Sequence, residues 1–161
     1  MVLVGDDKKQ RRLESTTAGD ERIRRRVRFA GYRDDVPALL QAADLVVHPS
    51  HADALPTALI HALGAGVPII GTRVGGIPEV VGEAGILVPP HRPGQLAQAL
   101  ADLGADPARR AAMAAAGRAR FGASFDARLW ARRLAAVYED AIRDGEPRLR
   151  RARGSYRGRG S

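Results

Sequence analysis

An α/β fold, with a Rossmann-like parallel sheet flanked by helices and a helical C-terminal region, is predicted by three features of the sequence. Short apolar segments alternate with helical ones as far as Pro90, the order expected of a parallel sheet covered on its faces. Proline and glycine punctuate these segments, at Pro49, Gly66, Gly75, Gly76 and Pro89. From Gln95 onward the periodicity is wholly helical.

Val2–Val4 reads as a first strand, Lys8–Glu14 as a polar helix and Thr16–Glu21 as a loop. Val27 and Phe29 alternate with arginines in a second strand ending at Gly31, and a helix follows over Val36–Ala43. Leu45–His48 is a third strand that breaks at Pro49. A helix restarts at Pro56, where proline's fixed φ and missing N–H suit the first helical position. It runs to Ala65, with Gly66 as its stop, and Val67–Thr72 forms a fourth strand. Gly75 and Gly76 turn the chain into a short helix near Glu79–Val81, and Gly85–Pro90 is the last strand, with proline at its exit.

Gln95–Leu103 and Pro107–Phe121 read as alanine-rich helices that keep enough Leu, Met and Phe to dock. Over Phe125–Ile142 the residues Phe125, Leu129, Leu134, Val137, Tyr138, Ala141 and Ile142 share one apolar stripe, which calls for a surface to cover. Beyond it the composition shifts to Arg, Gly, Ser and Pro. Residues 1–144 are therefore expected to form the domain and 145–161 a disordered tail.

The 161 residues, 45% hydrophobic, suffice for one domain and not for two. The net charge of +8 suggests a nucleic-acid partner, but Arg148, Arg150, Arg151, Arg153, Arg157 and Arg159 all follow the last acidic residue, Glu146. Without them the chain has 20 basic against 18 acidic residues, so the excess is a tail and not a basic face shaped for a phosphate backbone. The absence of cysteine excludes disulfides, thiolate zinc sites and a cysteine nucleophile. Met1 leads directly into Val2-Leu3-Val4-Gly5 and no apolar run approaches the roughly 18 residues of a membrane span. No signal peptide is expected, and the expected location is cytoplasmic.

The most informative segment is Pro49-Ser50-His51-Ala52-Asp53-Ala54-Leu55-Pro56-Thr57, continuing to Gly75-Gly76-Ile77-Pro78-Glu79. A helix start carries unpaired N–H groups and the positive end of the helix dipole, so the N–H groups of Leu55, Thr57 and Ala58 suit a diphosphate. His61 lies four residues after Thr57, on the same helix face and about 6 Å further along the axis. Packing against neighbouring backbone is the alternative for His61, and stabilisation by the helix dipole that for Asp53. Gly75 and Gly76 serve a turn in the simplest reading, and Glu79 is a first-turn acid. His48, His51, Asp53 and His61 have no recognised ligand spacing, so no metal site is expected.

At Val27-Arg28-Phe29-Ala30-Gly31-Tyr32, at Ala43-Asp44-Leu45-Val46-Val47-His48-Pro49-Ser50, at Gly64-Ala65-Gly66-Val67-Pro68 through Glu79, and at Ala84-Gly85-Ile86-Leu87-Val88-Pro89-Pro90, the chain resembles the donor-binding half of family 4 glycosyltransferases. The likeness extends from about Val2 to Ile142. It implies the C-terminal half of a GT-B fold, a nucleotide-sugar donor, retention of anomeric configuration and no metal or other cofactor in the donor site. By the same resemblance, Gly31, Tyr32 and Arg33 lie beside the base and ribose, and Ala54, Leu55, Thr57 and Ala58 beside the phosphates. Gly75 and Gly76 become secondary donor-loop sites.

The family's paired glutamates fall at Asp53 and His61, the two implied catalytic positions, and both are departures. Neutral histidine offers a ribose diol one acceptor where a carboxylate offers several; losing one charge-assisted hydrogen bond is worth about 1.5–3 kcal/mol. Asp53 keeps the charge but is one methylene shorter than glutamate.

The resemblance further implies an acceptor-binding N-terminal domain, and a first strand and helix of the donor domain, that these residues do not include. The chain is expected to be a fragment that does not transfer sugar alone. A sugar or lipid-linked acceptor, and peripheral membrane contact by the full enzyme, are the implied partners. Two alternatives stand beside this reading. One is a non-catalytic nucleotide-sugar-binding remnant. The other is a nucleic-acid module acting through the arginine tail and Tyr156.

Overall fold

Among the residues that the computed structural model describes, 1–5 and 8–143, short parallel strands alternate with helices as the sequence predicts. They divide between two compact units, Met1–Ala43 and Asp44–Ser161. The tail expected over 145–161 lies outside the described residues.

In the first unit β1 (Val2–Leu3) is followed by α1 (Lys8–Thr17), α2 (Glu21–Arg26), β2 (Arg28–Phe29) and α3 (Val36–Gln41). β1 and β2 pair in parallel, Val2 with Arg28 and Leu3 with Phe29. The pairing continues past the strands, where Gly5 N–H donates to Gly31 O at 2.8 Å. Gly31 has φ +64°, which a side chain disfavours.

The loop expected over Thr16–Glu21 shrinks to Ala18–Asp20, with helix on either side. α1 runs on past Glu14 because the hydroxyls of Ser15, Thr16 and Thr17 donate back to the carbonyls of Arg12, Arg12 and Leu13, at 2.9, 2.7 and 2.8 Å, which satisfies them within the helix. α2 was not expected at all. Asp20 caps it, accepting from the N–H groups of Arg22 and Ile23 at 2.9 and 3.4 Å, and Arg24, Arg25 and Arg26 stand at its negative end.

In the second unit β3 (Val46–His48), β4 (Ile69–Thr72) and β5 (Gly85–Val88) form a parallel sheet in that order. α4 (Thr57–Ala65) and α5 (Ile77–Val81) make the two crossovers, and α6 (Pro93–Ala105), α7 (Pro107–Ser124) and α8 (Ala127–Arg143) follow. β4 is buried along its whole length, as a central parallel strand covered on both faces must be. Leu59 and Leu63 of α4, Ile69 and Ile70 of β4, Ile77, Val80 and Val81 of α5 and Leu103 of α6 are fully buried. Each such aliphatic side chain contributes about 1.5–3 kcal/mol relative to exposure.

α7 packs on α4 through small residues. Gly117 of α7 lies over Leu63, where an added Cβ would sit 3.4 Å from Cδ2, and Gly64 faces the ring of Phe121. Gly66 stops α4 as expected, with φ +71°; a Cβ there would lie 1.9 Å from Arg118 Nη1. Arg120 ties α7 to α5 by donating from Nε to Val80 O at 2.7 Å and from Nη2 to Glu79 O.

The last helix departs from expectation. No residue of α8 is buried, Leu129 and Leu134 are half-buried, and Trp130 and Ile142 are 62% and 80% exposed. Its start is fixed locally: Asp126 Oδ1 accepts from the N–H groups of Arg128 and Leu129 at 2.7 and 3.3 Å. Among the described residues no helix is long and apolar enough to cross a membrane.

Candidate functional site

Ligands of open parallel sheets bind beyond the C-terminal ends of the strands, and in the second unit that edge carries the segment from Pro49 to Thr57. β3 pairs with β4 in the register Val46–Ile69, Val47–Ile70 and His48–Gly71. One step further Thr72 would align with Pro49, but the bond that would extend the ladder, Ser50 N–H to Thr72 O, is not made. The chain leaves the sheet there.

The helix begins one residue later than the sequence suggested. Pro56 is the cap of α4 (φ −73°, ψ 82°) and Thr57 its first residue. Pro56 O accepts from the N–H groups of Leu59 and Ile60 at 2.9 and 3.3 Å. The N–H groups of Leu55, Thr57 and Ala58 have no acceptor among the described residues, and Leu55, Thr57 and Ala58 are exposed. His61 is exposed on the same helix. Its ring makes no hydrogen bond among the described residues, so it is not a packed helix histidine bonded to neighbouring backbone.

Asp53 is half-buried and engaged. Its Oδ2 lies 2.9 Å from His48 Nε2, and Ser50 Oγ lies 3.1 Å from the same nitrogen. Because an ionised carboxylate only accepts, Nε2 is the protonated nitrogen of His48 and Ser50 meets no basic lone pair there. Ser50 is therefore not activated as a nucleophile, although serine, histidine and aspartate are adjacent. The other oxygen of Asp53 has no hydrogen-bond partner among the described residues.

Gly75 and Gly76 back this loop. Gly76 N–H donates to Asp53 O at 2.9 Å. A Cβ on Gly75 would lie 2.1 Å from Asp53 O and one on Gly76 2.1 Å from Ala54 O, so both glycines are required by close backbone approach; Gly75 also has φ +50°. Thr72, the one buried polar residue among those described, donates from Oγ1 to Ser50 O at 2.5 Å. Beside the loop His51 stacks on His91 with ring centroids 4.5 Å apart, and His91 holds φ +58°.

The structure thus brings Asp53, Ala54, Gly75 and Gly76 together and sets Leu55, Thr57, Ala58 and His61 along the emerging loop and helix. Gly31, Tyr32 and Arg33 belong to the first unit. Tyr32 is 80% exposed. Arg33 forms a two-pronged pair with Asp35, Nε to Oδ1 at 2.7 Å and Nη2 to Oδ2. The hydrogen bond holds the Asp35 carboxyl below its usual range and raises the Arg33 guanidinium above its own. Among the described residues no three His, Cys, Asp or Glu side chains converge as metal ligands.

The role of Thr72 was not read from the sequence. Its signal was a hydroxyl ending the apolar run Val67-Pro68-Ile69-Ile70-Gly71, opposite a proline in the neighbouring strand.

The family described as "Glycosyl transferases group 1" matches residues 1–106. The chain belongs to this glycosyltransferase family. The D-inositol 3-phosphate glycosyltransferase of Corynebacterium kroppenstedtii is 37% identical to it over 123 residues, 74% of this chain and 27% of that protein. Among solved structures, sucrose-phosphate synthase of Thermosynechococcus elongatus superposes with a TM-score of 0.80 at 30% identity, over 89% of this chain and 38% of the other. Anabaena HepE in complex with UDP-glucose superposes with a TM-score of 0.73 at 27% identity, over 86% and 40%. This glycosyltransferase chain therefore has the α/β architecture of GT-B enzymes, and it spans about a quarter of the length of the curated relative.

Proposed function

We propose that this chain is the nucleotide-sugar donor-binding domain of a retaining glycosyltransferase, and that it acts with an acceptor-binding domain. The observation that carries this reading is the exposed start of α4, where Thr57 and Ala58 offer unpaired N–H groups at the C-terminal edge of a parallel sheet. Support comes from family membership and from HepE, a neighbour of the same fold that holds UDP-glucose.

In this reading the diphosphate sits on the N–H groups of Leu55, Thr57 and Ala58, which stabilise it as it departs from the anomeric carbon. Asp53 accepts from hydroxyls of the donor sugar, and His61 faces the ribose. No metal takes part in holding the donor. The acceptor is a sugar or a lipid-linked sugar held by the partner domain, which also excludes water and places the attacking hydroxyl.

UDP, GDP and ADP are the probes. At millimolar concentration at least one should raise the melting temperature of the chain, and donor turnover should appear when an N-terminal domain of a family member is added. Unchanged melting with all three would sink the donor reading, whereas binding without turnover would mark a non-catalytic remnant.

A further inference from the structure

The loop from Ser50 to Leu55 is held by its carbonyl groups. Thr72 Oγ1 donates to Ser50 O at 2.5 Å, and Gly76 N–H donates to Asp53 O at 2.9 Å. Ala54 O is pressed against Gly76, where a Cβ would come within 2.1 Å. All three carbonyls therefore face the end of β4 and the turn into α5. A trans peptide unit is planar, with its C=O and N–H antiparallel. Turning these carbonyls inwards turns the N–H groups of His51, Ala54 and Leu55 outwards, and none of the three has an acceptor among the described residues.

We infer that Thr72 is a positioning residue, one that sets the peptide planes of the Ser50–Leu55 loop so that its N–H groups join those of Thr57 and Ala58 on one anion-binding surface. The inference rests on the proposed donor site for its ligand, not for its geometry. Thr72 is suited to the task because the residue is buried, 6% exposed, where a hydrogen bond is little weakened by water. It also stands where the β3–β4 ladder ends: the next bond, Ser50 N–H to Thr72 O, is not made, and the Thr72 side chain donates to Ser50 O instead. His48 O, at 3.5 Å, is the more distant acceptor. The glycine pair completes the clamp from the α5 side, and its lack of side chains allows the loop to approach.

Thr72→Val keeps the volume and removes the donor; Thr72→Ser keeps the donor. In the full chain, amide resonances of Ser50 to Ala58 are followed by ¹⁵N NMR without ligand, and UDP affinity is measured by calorimetry. In Thr72→Val those resonances should move or broaden while those between Pro107 and Ala116 in α7 stay in place, and the UDP dissociation constant should rise at least tenfold. Thr72→Ser should restore both. A Thr72→Val protein that melts lower, yet keeps its loop resonances and its UDP affinity, overturns the positioning role and leaves Thr72 a residue of stability alone. Where the valine variant does not fold, Thr72→Ala gives the same two readings, since water can then reach Ser50 O. If the wild-type chain binds neither UDP, GDP nor ADP, the donor reading fails, and the ligand-free resonances alone decide the role of Thr72.

Discussion

Thr57→Pro isolates the group on which the donor reading depends. Thr57 is the first residue of α4, so its N–H has no helical acceptor to lose, and the first helical position is one that suits proline. A residue before proline prefers ψ of about 120–160°, and Pro56, at ψ 82°, has to adjust towards it. The change in stability should stay within about 1 kcal/mol. Binding should respond more strongly. A hydrogen bond to a charged group is worth about 1.5–3 kcal/mol, which is roughly a 10- to 150-fold loss in affinity. Thr57→Ala is the control, since it deletes the hydroxyl and keeps the N–H. Calorimetric titration with UDP and with inorganic pyrophosphate should show weakening of both by Thr57→Pro and of neither by Thr57→Ala. Equal affinities for wild type and Thr57→Pro, with the helix intact by circular dichroism, would refute the assignment of the phosphates to this helix start.

Gly76→Ala should destabilise the chain by about 1–3 kcal/mol and weaken UDP binding, because the new Cβ meets Ala54 O at 2.1 Å and must push the loop away by about 1 Å. At φ −83° alanine is otherwise allowed and would stabilise by about 0.4–1 kcal/mol, so a raised melting temperature with unchanged binding would refute the close approach. Leu63→Ala removes a fully buried side chain between α4 and α7 and should cost about 2–5 kcal/mol in urea denaturation; a loss below 1 kcal/mol would show the contact to be loose. His61→Glu supplies a second acceptor oxygen and should tighten UDP but not pyrophosphate, which has no ribose; equal effects on both would show that His61 does not face the ribose. Asp35, held below its ordinary range chiefly by the hydrogen bond from Arg33, stays ionised between about pH 5 and 8. A carboxyl with a depressed folded-state pKa stabilises above its unfolded value and loses that contribution as pH falls through the folded one. The Arg33 pair should therefore loosen only in acid. Arg33→Ala should move the Asp35 carbon titration upward by NMR, and an unmoved titration would exclude the pair as its cause.

Much of the second unit is legible in the sequence because each boundary has a local cause. Gly66 has φ > 0, Pro49 follows β3 and Pro89 follows β5, so the strands and crossovers fall within two residues of expectation. α2 was missed because its signals compete: Glu21-Arg22-Ile23-Arg24-Arg25-Arg26 offers one apolar residue and no periodicity, and only the Asp20 cap and the charges at its end explain it. The exposure of α8 could not be read either. An amphipathic pattern states that a face is fit for burial, and it does not say whether a surface is present to meet it. At the site, sequence spacing located the helix start and the exposed His61. It could not find the inward-turned carbonyls of Ser50, Asp53 and Ala54, since Thr72 and Gly76 approach them from 22 to 23 residues away, through tertiary structure alone.

This division between backbone and side chain bears on how the departures at Asp53 and His61 act. The phosphates, in the proposed reading, are held by N–H groups whose direction follows from Thr72, Gly75, Gly76 and the start of α4. A change of side chain at position 53 or 61 leaves that grip in place unless it moves the loop. Without the six arginines that follow Glu146 the charge is nearly balanced, 20 basic against 18 acidic residues, so no broad positive field competes with these oriented dipoles for the diphosphate. In that reading, affinity for the diphosphate and contact with the sugar and ribose are separable. The first is proposed to reside in peptide planes that glycine and a buried hydroxyl hold in place. The second is proposed to reside in Asp53, steadied by His48, and in the exposed His61, which a substitution can retune without unfolding the cradle.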